Sequence, residues 1–377
     1  MATASAFFVH GAIATSWATR IPSVKADLGL GEAALGFALL GSAVGALVAM
    51  PLGGAVTARR GSRSVTRAML VTMAAALLLP VLSPSLLVLF GALVVFGASA
   101  GLMDVAMNAQ GVAVERRYDR PILSGFHALW SLGGFAGAAA GTAAADAGLG
   151  SVAHLALVAG VVTVGGLLAT NHLLPAGADR SPEGPRFARP TGLLAALGAV
   201  AFCAMLAEGA ALDWSAVYVT ESLDGTPTLA AIAVGSFSLG MALGRLVGDR
   251  LAARFGPALF VRAAASLALF GLIVALAVRE PIQSIFGFGI MGVGLSSIVP
   301  VAFSRAGHLS QLTGAPGIAT VATMGYTAFL LGPSLVGGTA ELTNLRIGLG
   351  AVAFLLALIQ FLAGGIGPDS QAPAPHS

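Results

Sequence analysis

Apolar runs about 20 residues long, the length that crosses a bilayer as a helix, recur along the whole chain. Short polar or Pro/Gly turns separate them. Twelve such runs cover roughly residues 3–22, 33–56, 65–83, 86–112, 122–144, 152–174, 192–219, 228–249, 259–279, 282–303, 317–338 and 346–366. Lipid offers no partner to an open backbone amide or carbonyl, so each run must close its hydrogen bonds within itself as a helix. The pattern therefore predicts an all-α membrane protein with twelve transmembrane helices.

Composition agrees. Only 9% of the 377 residues are charged and 57% are hydrophobic, against about 25% charged in a soluble domain. The net charge of +3 is not a nucleic-acid signal, because the basic residues are scattered over short loops. The lone Cys203 excludes a disulfide within the chain and a cysteine-based metal site. No basic n-region precedes the first apolar run, so a cleaved signal peptide is not expected.

The arginines orient the helices. One set of loops carries Arg59, Arg60, Arg63, Arg67, Arg116, Arg117, Arg120, Arg180, Arg186, Arg189, Arg250, Arg254, Arg262 and Arg305, and the opposite set only Arg20, Lys25, Arg279 and Arg346. By the positive-inside rule the first set is cytoplasmic. With an even number of spans both termini are cytoplasmic too, in a multi-pass protein of the bacterial inner membrane. The polar, Pro-rich stretch 175–190 reads as a cytoplasmic linker between residues 1–174 and 191–367, each a six-helix bundle, and residues 368–377 as a disordered tail.

An internal repeat supports this division. At an offset of 195 residues Gly45 falls on Gly240, Gly53 on Gly248, Ala58-Arg59 on Ala253-Arg254, Gly61 on Gly256, Arg67-Ala68 on Arg262-Ala263, Gly97 on Gly292 and Gly137 on Gly332. Two parallel halves related by an axis along the membrane normal are a known transporter plan.

The turn after the second span reads Gly54-Ala-Val-Thr-Ala58-Arg59-Arg60-Gly61-Ser62-Arg63, and its second-half counterpart ends Ala253-Arg254-Phe255-Gly256. This resembles the signature turn of the major facilitator superfamily, with Ala58 where the family pattern has an acidic residue. Five further stretches are similar to the bacterial MosC-type branch of that superfamily: Ser16 to Pro22, Gly101 to Gly111, Phe126 to Gly134, Glu208 to Ser215 and Gly325 to Pro333. The resemblance implies two pseudo-symmetric six-helix bundles, a monomer, and an outline close to proton-coupled sugar permeases.

Ionisable groups inside spans are the candidates for chemistry, since each costs about 2.5–3.5 kcal/mol to insert. Glu208, midway along the seventh span, and Asp104, in the fourth, can exchange a proton between a dry and a wet state. The alternative for Glu208 is a structural hydrogen bond. Asp104 and Asn108 are four apart on one helix face, suited to a polyol or to helix–helix bonding. Asp213 lies five residues after Glu208, about 140° round the helix, so the two are not a dyad. Symmetry sets Asp213 against the first span, where Arg20 is expected either to pair with it as an outer gate or to snorkel to headgroups. Arg245 needs an anionic partner, for which Asp104 is a candidate. His10 with Trp17, and His127 with Trp130, form stripes that suit stacking on a solute, against interfacial anchoring for the tryptophans. Gly133, Gly137 and Gly141 form a small-residue ladder, and Gly332-Pro333 predicts a kink.

No Walker loop, nucleophile elbow or Cys/His metal spacing occurs. The expectation is a secondary transporter without cofactor or metal, not an enzyme, moving a small solute with protons by alternating access. A sugar-like compound is the solute class expected first. Efflux of a drug or metabolite, and a transport-inactive sensor on the same fold, are the alternatives. Expected partners are the solute, protons and membrane lipid, with no nucleic acid.

Overall fold

The computed structural model describes residues 1–30, 32–175, 178, 192–225, 227–309 and 314–366. The proposed linker, apart from Pro175 and Ala178, and the tail lie outside the described residues. Among the described residues the regular structure is helical: α1 Ala2–Ala18, α2 Ile21–Asp27, α3 Glu32–Arg60, α4 Ser62–Ala76, α5 Leu86–Tyr118, α6 Leu123–Asp146, α7 Ser151–Ala169, α8 Leu193–Val217, α9 Pro227–Phe255, α10 Pro257–Ala277, α11 Pro281–Leu295, α12 Ile298–His308, α13 Gly314–Tyr326, α14 Ala328–Leu342 and α15 Leu345–Leu362. The short α2 follows the first span. Helices α11 and α12 make up the tenth span, and α13 and α14 the eleventh. The other helices account for the remaining ten, so the all-α, twelve-span reading holds.

Three boundaries differ from the sequence reading, and prolines sit beside each. The first span ends at Ala18 rather than near residue 22, because Pro22 at the start of α2 cannot donate to the carbonyl four residues back. The tenth span is interrupted at Ser296–Ser297, four residues before Pro300. The eleventh was expected to kink at Gly332-Pro333 but breaks at Thr327, and α14 runs on through both residues to Leu342. The Thr327 carbonyl still takes the Leu331 amide at 3.3 Å, and the hydrogen bond that Pro333 cannot make falls two residues further on, inside α14.

Among the described residues, eight stretches are long and apolar enough to cross a membrane on their own. Their outer faces need lipid. On α7, Leu157, Val161, Val164 and Leu168 recur at helical spacing and are each 62–65% exposed, an apolar stripe that water would not tolerate.

The chain forms two compact units, the first Met1–Arg189 with Ala306–Tyr326 and the second Pro190–Arg305 with Thr327–Ser377. In the first, α1 packs on α6, α3 on α5, and α4 against α5 and α7, while α13 lies on α3. Val9, Ile13, Leu70, Met73, Leu77, Leu93, Phe96 and Leu155 build its apolar core. In the second, α9 and α10 flank α11, and α14 and α15 pack on α8.

The 195-residue repeat recurs in atomic detail inside each unit. A side chain at Gly45 would strike the carbonyl of Val94, and one at Gly97 the carbonyl of Ser42. The counterparts Gly240 and Gly292 meet the carbonyls of Gly289 and Phe237, each 195 residues on. Small residues let these helix pairs approach to backbone contact.

The Arg-Gly turn repeats as well. Gly61 adopts φ 82°, ψ 146° and Gly256 φ 79°, ψ 153°, a region essentially restricted to glycine. The Gly61 amide closes α3 on Thr57 O at 2.8 Å, and the Gly256 amide closes α9 on Ala252 O at 2.9 Å. Nearby arginines reach carbonyls at the ends of other spans, Arg67 Nη1 to Leu167 O at 2.9 Å and Arg262 Nε to Gln360 O at 3.2 Å. With Ala58 in the acidic position, cationic side chains on helix C-termini supply a tether of their own.

Candidate solute site

Polar side chains inside the first unit gather on α1, α5 and α6. His127 Nε2 lies 3.1 Å from Asn108 Oδ1. The Asn108 amide donates to the Asp104 backbone carbonyl at 2.9 Å and to Asp104 Oδ1 at 3.2 Å. Both of those acceptors fix the amide orientation, so Asn108 Oδ1 must accept and His127 must carry its proton on Nε2. The chain of donors ends on Asp104, which is 5% exposed and whose Oδ2 is buried with no hydrogen-bond partner among the described residues. Phe7 closes one side, its ring 5.1 Å from that of His127 and 5.6 Å from that of Phe126.

A second set lies beside it. Trp130 Nε1 donates to His10 Nδ1 at 2.8 Å, and His10 Nε2 faces Ala100 O at 3.2 Å. The ring thus accepts on one nitrogen and donates on the other, as a neutral imidazole does. Gly133 supports this geometry, because any side chain there would strike the Phe8 carbonyl and push α6 off α1.

In the second unit Arg245 on α9 points its Nη2 at Glu208 Oε1 on α8, 3.8 Å away. Its Nε donates to Ser296 O at 3.2 Å. Pro300 has no amide hydrogen to give that carbonyl, so the break in the tenth span exposes an acceptor that Arg245 takes.

The chain matches known proteins over nearly its whole length. It is 37% identical over 367 residues to an uncharacterized MFS-type transporter of Yersinia pestis, covering 95% of this chain and 93% of the relative. It is 32% identical over 361 residues to the membrane protein MosC of Rhizobium meliloti, covering 95% of this chain and 86% of that protein. The chain belongs to the major facilitator superfamily. Its fold agrees with that of the E. coli fucose:proton symporter FucP, at a TM-score of 0.79 and 15% identity over 97% of this chain and 98% of that one. No family model matches the chain. It is a multi-pass membrane transporter of this superfamily.

Some of the candidate residues of this transporter lie together in the structure and others do not. Asp104, Asn108 and His127 form one connected chain, and His10 joins Trp130. Trp17, 6% exposed, sits in the apolar core with Ile13 and Leu70. Arg245 lies beside Glu208 within the second unit, a partner that spacing along the chain did not single out. Spacing along one helix fixes a face but not which helix that face meets. Arg20 is 6% exposed and donates to His154, so it does not snorkel. Asp213 is exposed on α8.

Sequence reasoning did not single out His154, Ser296, Gln110 or Glu115. Gln110 accepts from Ser62. Glu115, 4% exposed, takes the amides of Ile122 and Leu123 at 2.8 and 3.0 Å, capping the start of α6. The signal for Glu115 was present: a lone acid directly before Arg116-Arg117 at the end of a span.

Proposed function

We propose that this transporter moves a small polar solute, sugar-like in its hydroxyl chemistry, across the bacterial inner membrane in symport with protons. Both termini face the cytoplasm, and residues 1–174 and 191–367 rock as two bodies joined by residues 175–190. One observation carries the reading. The Asp104 carboxyl is buried and, among the described residues, has no cation beside it and one oxygen without a partner. A group so placed gains when a proton or a solute hydroxyl arrives. Glu208, by contrast, has the Arg245 charge close by. Asp104 is therefore the proton-exchanging group, and the Glu208–Arg245 pair orients solute or reports its arrival.

Asn108, His127 and Trp130 supply hydroxyl partners and an aromatic face. The fold shared with a fucose:proton symporter is in keeping with this assignment. The protein acts as a monomer and carries out no covalent chemistry.

The test is proton flux in proteoliposomes with a panel of sugars, polyols, amino acids and cationic drugs. A sugar or polyol should drive proton movement in the wild type. Asp104→Asn should abolish that movement while solute binding survives. Equal proton movement in Asp104→Asn would remove Asp104 from coupling. Proton movement driven only by cationic drugs would favour efflux. Solute-induced thermal stabilisation without flux would favour a sensor.

A further inference from the structure

Two arginines of α4 converge on one residue at the end of α7. Arg63 Nη2 donates to Asn171 O at 2.9 Å, and Arg67 Nη1 donates to Asn171 Oδ1 at 2.7 Å. Arg67 Nη1 also reaches Leu167 O at 2.9 Å and Thr170 Oγ1 at 3.3 Å. Asn171 thus holds two guanidinium groups close together, and the acceptors that hold them carry no charge. Arginine is charged at any physiological pH, so an anion at this place is attracted by both groups at once. Both arginines are partly exposed, and each contact uses one terminal nitrogen of a planar fork whose shape matches phosphate oxygens.

The surroundings of the pair select among anions. Gly166 on α7 lies against the Leu70 side chain on α4, so the two helices run together away from the arginines. On α7 the exposed stripe Leu157, Val161, Val164 and Leu168 continues at helical spacing onto Asn171. On α4 Arg63, Arg67 and the exposed Val71 are each four apart and share a face. Two cations therefore cap an apolar surface that needs acyl chains, the division of charge and hydrocarbon found in an anionic phospholipid. Basic pockets between transmembrane helices are known to take such headgroups. The second half does not repeat the pair. At the 195-residue offset Arg67 falls on Arg262, but Arg63 falls on Ala258.

We propose that Arg63 and Arg67, gathered on Asn171, bind the phosphate of an anionic phospholipid whose acyl chains lie along α4 and α7. The lipid ties α4 to the end of α7. It is a ligand of the first unit, separate from the Asp104 chain, and the single Arg262 does not form an equivalent site.

Thermal unfolding of the full-length protein in non-ionic detergent tests this, with phosphatidylglycerol or phosphatidylcholine of the same acyl chains titrated into the micelles. The wild-type midpoint should climb with the logarithm of the phosphatidylglycerol concentration and climb much less with phosphatidylcholine. The double variant Arg63→Gln, Arg67→Gln should lose most of that difference, whereas Arg262→Gln should keep it. Arg63→Gln alone leaves the three contacts of Arg67 in place and should lose part of the difference, so it decides the matter if the double variant does not fold. Equal wild-type midpoints in the two lipids would overturn the proposal, as would an undiminished phosphatidylglycerol response in Arg63→Gln or an equal loss in Arg262→Gln. Inorganic phosphate that reproduces the rise without lipid would overturn the phospholipid in favour of a free anion.

Discussion

Arg245 reaches Glu208 at 3.8 Å while its Nε holds the Ser296 carbonyl, so one guanidinium joins α8, α9 and the broken tenth span. Side-chain exposures of 7% and 22% place the pair largely out of water. Removing one partner of a buried pair strands the other, at about 3–5 kcal/mol when burial is complete. Glu208→Gln and Arg245→Met should each lower the melting temperature of the purified protein clearly. The double variant should recover part of the loss, because neither charge is then stranded. A double variant that melts at the sum of the two single losses would mean the residues act independently.

The helix crossings make a sharper contrast. Gly97 and Gly292 lie against carbonyl oxygens of the partner helix, whereas Gly91, six residues before Gly97 on the same helix, has open space around its α-carbon. Gly97→Ala and Gly292→Ala should force the paired helices apart and destabilise the protein by about 1–3 kcal/mol, as overpacking does. Gly91→Ala should be neutral or stabilising, since alanine is favoured over glycine in a helix by up to about 1 kcal/mol. Comparing the three melting curves checks the assignment. A Gly97→Ala protein as stable as Gly91→Ala would remove backbone contact as the reason for the repeat.

Those glycines were legible before the structure because the repeat is periodic and a small residue at a crossing is a local requirement. The spans were legible for a similar reason, since each must satisfy its own backbone. Pairing between helices was not. Glu208 and Arg245 lie on different helices, and sequence spacing carries no record of which helix faces meet. The same holds for Arg20 and His154, 134 residues apart. The tenth-span break does have a sequence signal, set back from where it is first sought. Pro300 denies Ser296 its helical partner, so the interruption of the tenth span falls on the N-terminal side of the proline rather than at it.

The His10–Trp130 contact gives His10 a positioning role that its place among the solute-cavity candidates did not specify. Each ring nitrogen already has a partner, Trp130 on one side and the Ala100 carbonyl on the other, so His10 is arranged to hold Trp130 rather than to carry a proton. His10→Phe should free the indole N–H and cost about 1–3 kcal/mol for the stranded donor. In a Trp17→Phe, Trp214→Phe background the remaining Trp130 emission should shift to the red and become easier to quench. If Trp130 lies against the solute, the KM for transport should rise while the number of protons moved per solute stays the same. A His10→Phe protein that binds solute normally but no longer couples it to protons would make His10, and not Asp104, the proton carrier. The ratio of proton to solute flux in His10→Phe and Asp104→Asn, measured side by side, distinguishes the positioning residue from the carrier.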